Sequence, residues 1–84
     1  MKKIFSFKLT SDLFRVKNMI RFYKSCEKLG QTVYVYGRDK MEQAHRLPQF
    51  LSVLMNTLLE NGNCLIVVEG EHLSRRQFEA YLPA

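Results

Sequence analysis

The residue types that carry chemistry are few and scattered in this chain. The histidines are His45 and His72, and neither has a cysteine or a second histidine at metal-ligand spacing. Glu42 precedes His45 by three residues, which puts the two on one face only if the segment is helical. Ser6, Ser11, Ser25, Ser52 and Ser74 lack the glycine-flanked elbow that exposes a nucleophilic serine. Gly30, Gly37, Gly62 and Gly70 are spread one to a turn, so no glycine-rich loop forms to cradle a phosphate. Glu69 and Glu71 lie two apart and read as a solvated strand end rather than an acid–base pair. His72, next to Glu71, reads as a loop histidine, and His45 as an exposed strand residue. The expectation is no catalytic residue, no metal and no cofactor.

Positive charge is the strongest polar feature. Lys17, Arg21, Lys24 and Lys28 recur at intervals of four, three and four residues, which makes a basic stripe on a helix. Arg15 and Lys17 fall near the predicted start of that helix. Backbone N–H groups and the helix dipole favour an anion there, and make two positive side chains unfavourable without one. A net charge of +5 points the same way, toward an acidic protein face, nucleic acid or an anionic membrane surface. The helix commits its apolar side to the core, so it cannot also insert into a membrane.

The elements that position these groups follow from apolar spacing. Lys3 to Leu9 alternates, with Phe5, Phe7 and Leu9 on one face of a strand. Thr10 to Gly30 predicts the longest helix, capped by Thr10, Ser11 or Asp12 and stopped by Gly30. Its buried stripe is expected to be Leu13, Val16, Ile20 and Tyr23, with Met19 and Cys26 beside them. Gln31 to Tyr36 is a β-branched and aromatic strand, and Gly37 to Asp39 turns it into a polar return strand over Lys40 to His45, suited to a sheet edge. Pro48 opens a second helix over residues 48–60, with Leu51, Leu54, Met55 and Leu58 facing the sheet. Phe50, Val53 and Leu59 widen that stripe beyond what one buried face needs. Asn61 to Asn63 ends it, and Cys64 to Glu69 is a central strand. Ser74 caps a last helix over residues 74–82, with Phe78, Tyr81 and Leu82 facing in.

The order β-α-β-β-α-β-α predicts one α+β domain over residues 1–84, a four-stranded antiparallel sheet with helices on one face. Element order alone leaves a ferredoxin-like sheet open. No apolar run reaches the roughly 18 residues of a membrane span, and Lys8 and Asp12 interrupt any signal-peptide core behind Met1. Two cysteines are too few for a disulfide framework, and Cys26 and Cys64 read as buried apolar residues of a reducing, cytoplasmic compartment.

The layout resembles HPr, the histidine-containing phosphocarrier protein of the bacterial sugar phosphotransferase system. The likeness lies in KIFSFKLTSDL before the first helix, EKLGQTVYVYGRDK, a second helix ending at ENG, and CLIVVEGEH. It implies an open-faced β-sandwich with three helices on one side of the sheet. The family's phosphoryl carrier is a histidine at the start of the first helix. Here that segment is Leu13-Phe14-Arg15-Val16-Lys17-Asn18, and Arg15 occupies the histidine position. A guanidinium holds no available lone pair, so it cannot accept a phosphoryl group as an imidazole does. Many members also carry a regulatory serine at the start of the second helix. Counting without a gap puts Arg46 there, and matching helix ends puts Phe50; the extra residues HRLPQ blur the register.

The resemblance implies a surviving docking surface, with Phe14, Phe50, Val53 and Leu54 as its apolar part and Arg15, Lys17 and Arg21 as its basic ring. The expected function is therefore a non-phosphorylatable HPr-like binding or regulatory protein. Its partner would be an acidic protein surface, on a phosphotransferase-system enzyme or a transcriptional regulator. A nucleic-acid-binding module using the basic first helix is the alternative, and a phosphocarrier using another residue a third. The wide apolar stripe of residues 50–59 also fits a dimer interface.

Overall fold

The apolar run that opens at Cys64 lies inside the sheet, as its composition predicts. In the computed structural model, which describes residues 2–79, β4 (Asn63–Gly70) lies between β1 (Lys3–Thr10) and β2 (Thr32–Tyr36) and is antiparallel to both. The polar strand β3 (Met41–Ala44) pairs antiparallel with β2 at the sheet edge, giving the order β1-β4-β2-β3. The inner strands are thus β4 and β2. A ferredoxin-like sheet has its first and third strands inside, so that alternative is set aside.

Alternation within each strand sends one set of side chains to the core. Phe7, Leu9, Val33, Val35, Cys64, Ile66 and Val68 are buried on one face. They meet Met19, Phe22, Tyr23 and Cys26 of α1 (Val16–Lys28), Phe50, Leu54 and Leu58 of α2 (Leu47–Asn61), and Phe78 of α3 (Arg75–Phe78). Among the described residues, Phe22 packs against the rings of Phe7, Phe78 and Phe50. It meets Phe7 edge-on at 5.5 Å and tilts against Phe78 at 5.7 Å and Phe50 at 6.0 Å. The opposite face of the sheet is exposed at Ile4, Tyr36 and Met41. Among the described residues, no helix is long and apolar enough to cross a membrane.

The segment expected as one long helix from Thr10 is divided. A 3-10 turn spans Ser11–Leu13, Phe14 is extended, and α1 begins only at Val16. The cause is the end of the β1–β4 ladder. Thr10 still pairs with Asn63, and both the backbone N–H and the hydroxyl of Ser11 donate to the carbonyl oxygen of Gly62 at 3.0 Å. The chain is held to the α2–β4 corner until it has passed Ser11, so helical geometry starts late. Thr10 makes no side-chain cap, and α2, with 15 residues, is longer than α1, with 13.

The buried stripe of α1 holds the expected Met19, Tyr23 and Cys26, but it is completed by Phe22, whereas Leu13 and Val16 are exposed. Both sets obey helical spacing, so periodicity cannot choose between them. Gly30 and Gly62 follow the two long helices with φ of 69° and 77°, the left-handed conformation that stops a helix. Of the last predicted helix, Phe78 is buried, and Tyr81 and Leu82 lie outside the described residues.

Candidate functional site

Arg15 stands at the junction between the 3-10 turn and α1. Its backbone is extended, and its carbonyl accepts the first helical bond, from Met19 N–H at 3.0 Å. Its side chain makes no cap. The guanidinium turns back instead, donating through Nη1 to the carbonyl oxygens of Phe14 at 2.9 Å and Asp12 at 3.1 Å. These two acceptors offset the unfavourable placement of a cation at a helix start. The carboxyl of Asp12 is held below its usual range, first by a hydrogen bond from the Thr10 side chain and its own backbone, with the Arg15 charge adding to them. Arg15 remains exposed, and the first turn of α1 has no acidic residue.

Beside this turn lies a shallow apolar cleft of about 190 Å³ between the 3-10 segment and α2. Ser11, Phe14, Met55, Leu58 and Leu59 line it. Leu59 is 83% exposed and Met55 46%, and Leu13 and Val16 next to Phe14 are comparably open. These side chains leave an apolar patch open at the surface. The hydroxyl of Ser11, its one polar side chain, is donated to Gly62. Among the described residues, the lining of the cleft is otherwise apolar.

The structure brings together only part of the predicted surface. Phe14 and Arg15 are adjacent and accessible, and Lys17 and Arg21 are exposed on the first turns of α1. Phe50 and Leu54 are fully buried, which corrects their assignment to a partner surface. Phe50 stacks on Tyr23 at 4.9 Å, so its ring is part of the core. Val53 lies elsewhere, in a cleft between α2 and the β2–β3 hairpin with Val35, Lys40 and Glu42. Met55, expected in the core stripe, is exposed instead, and Leu59 takes the place expected of Phe50. The signal for both was present: α2 has more apolar positions than one face can bury, and the surplus had to lie outside.

The remaining chemical groups stand apart from this turn. His45 lines a separate cleft with Tyr23, Glu27 and Gln31. Glu27 is twelve residues beyond Arg15, which places it about 18 Å away along α1. His72 is exposed, and its carbonyl accepts a hydrogen bond from Gln31. Cys26 and Cys64 are free and buried, and burial pushes their thiols up to about 12 and about 11. No group of three or more His, Cys, Asp or Glu side chains converges as a metal site among the described residues. Lys17, Arg21, Lys24 and Lys28 are all exposed, and none forms an ion pair among the described residues.

Comparison with known proteins adds a relationship without an activity. No family model matches the chain, and no solved structure matches it significantly. It is 32% identical over 75 residues to the uncharacterized protein YwjC of Bacillus subtilis (strain 168), an alignment covering 89% of this chain and 81% of that protein. On that identity and coverage, the chain belongs to the same family as YwjC.

Proposed function

We propose that the protein is a non-phosphorylatable, HPr-like docking module that acts by binding an acidic protein partner. The partner would be an enzyme of the phosphotransferase system or a regulator recruited in its place, and the role regulatory or competitive rather than enzymatic. One observation carries this reading: Phe14, which lines the open apolar cleft with Met55, Leu58 and Leu59, accepts at its carbonyl a hydrogen bond from the guanidinium of the exposed Arg15. An apolar anchor rimmed by a cation is the make-up of a protein–protein hot spot. The β-α-β-β-α-β-α order and the resemblance of its sequence fragments to HPr support the choice of partner class. Arg15, where that family has its histidine, supports a role without phosphoryl transfer.

Calorimetric titration against the first enzyme of the phosphotransferase system tests the docking. Leu59→Asp and Arg15→Glu should each abolish binding while the circular dichroism stays unchanged. Incubation with that enzyme and phosphoenolpyruvate, followed by intact mass, should show no added phosphoryl group. An adduct on His45 or His72, or binding that survives both substitutions, would overturn the reading.

A further inference from the structure

The sheet face turned away from the helices carries two tyrosines on an inner strand. Tyr34 and Tyr36 alternate with the buried Val33 and Val35, so both project from the open face. Strand register sets each in a row across all four strands. Tyr34 shares its row with Ser6, Val67 and Gln43, and Tyr36 with Lys8, Leu65 and Met41. Leu65 and Val67, both half-buried, form an apolar floor between the tyrosines and β1. At the Tyr36 end the face opens into a cleft of about 640 Å³. Lys8, Arg38, Asn61 and Asn63 stand in its wall beside the carboxylate of Glu60, and Glu69 lies at the other end of the face, in the row of Ile4 and Thr32.

The spacing suits a particular ligand. Residues two apart on a strand are separated by about 7 Å and adjacent strands by about 4.8 Å. Tyr36 therefore lies about 7 Å from Tyr34 along β2, and about 10 Å across the sheet from Lys8. Flat π faces in sequence, cations one phosphate's reach to the side and neutral amides at the margin are the parts that bind an unpaired strand. An acidic peptide would use the cations but has no need of paired aromatic rings.

We propose that this open face binds single-stranded nucleic acid, with Tyr34 and Tyr36 stacking bases and Lys8 and Arg38 holding phosphates. The surface is distinct from the cleft between the 3-10 turn and α2, and the inference stands without the docking role proposed for that cleft. The net charge of +5 favours such a polyanion from a distance. Stacking is indifferent to base identity, so binding should show little sequence preference.

Fluorescence anisotropy of the full chain with labelled oligo-uridine and oligo-thymidine of about 12 nucleotides tests this. Titrations between about 50 and 200 mM salt give the electrostatic slope. Tyr34→Ala and Tyr36→Ala should each weaken binding about five-fold or more. Tyr36→Phe should keep the affinity, because it keeps the ring. Lys8→Ala should lower the salt slope by about 0.7, the value of one phosphate contact on a single strand. Lys24→Ala on α1 should change affinity less than two-fold. The proposal fails if neither oligonucleotide binds, if duplex DNA binds as tightly, or if the tyrosine variants bind like the parent. It fails equally if sedimentation shows a dimer that Tyr36→Ala dissociates.

Discussion

The side-chain amides of Gln31 and Gln77 bond to each other reciprocally, at 2.8 Å and 3.1 Å. Gln31 also donates to the carbonyl oxygen of His72 at 3.1 Å, so one buried polar side chain ties the start of β2 to α3 and to the loop before it. Gln77→Ala leaves the amide of the buried Gln31 short of partners. The expected loss is about 1–3 kcal/mol. Urea denaturation of both single variants and the double variant should give a non-additive cycle, because both substitutions remove the same bonds.

Gly70 packs against this pair. A Cβ at Gly70 would lie 2.7 Å from Cγ of Gln31, closer than two carbon atoms can approach. The Gln31 side chain cannot swing away without breaking its amide bonds. Gly70→Ala should therefore destabilise by about 1–3 kcal/mol. The same substitution should cost less in a Gln31→Ala background, measured by the shift of the urea midpoint.

The two apolar groups of α2 should separate cleanly by substitution. Phe50→Ala empties a core position and should cost about 3–5 kcal/mol, a large part of the stability of so small a domain. Met55→Asp and Leu59→Asp alter exposed positions and should stay within about 0.5 kcal/mol of the parent. Thermal unfolding checks both. A stability loss at Leu59 as large as that at Phe50 would show that the cleft is part of the core.

Arg15 should matter little to folding. Its guanidinium bonds two carbonyl oxygens in an exposed turn, where water replaces a lost donor, so Arg15→Ala should cost about 0.5 kcal/mol. Binding of an acidic partner should respond far more, and it should weaken as salt is added, since exposed charges are screened. Calorimetry at two ionic strengths, beside a thermal melt, tests both halves.

The thiols predict an alkaline limit to stability. Burial raises Cys26 to about 12 and Cys64 to about 11, from about 9 in an unfolded chain. Between about pH 9 and about pH 11 the unfolded state loses these protons while the folded state keeps them. Their contribution to stability is therefore whole below about pH 9 and is lost as pH rises through the folded values. Within that window each thiol adds about 1.4 kcal/mol per pH unit to the decline. A Cys26→Ala/Cys64→Ala variant should show a shallower fall in unfolding free energy over the same range. Identical slopes would show that the thiols are not protected in the folded state.

Local spacing alone determined much of this protein. Phe5, Phe7 and Leu9 alternate on β1, Val33 and Val35 on β2, and the polar Met41–Ala44 strand takes the edge its composition suits. Gly30 and Gly62 end their helices because glycine alone reaches left-handed geometry without penalty. That the turn before α1 carries a guanidinium, at Arg15, is likewise a matter of residue type. Tertiary structure decided the rest, for reasons that are not local. The β1–β4 ladder and the Ser11–Gly62 bonds delay α1 to Val16, a constraint carried by residues 51 apart in the chain. Helical periodicity admits two buried stripes on α1 and an overfull one on α2. Packing against Phe7, Ile66 and Phe78 selects Phe22, Phe50 and Leu54 for the core and leaves Met55 and Leu59 at the surface. Which tyrosines share an open face with Lys8 depends on strand order and register, and those are set only when the whole sheet assembles.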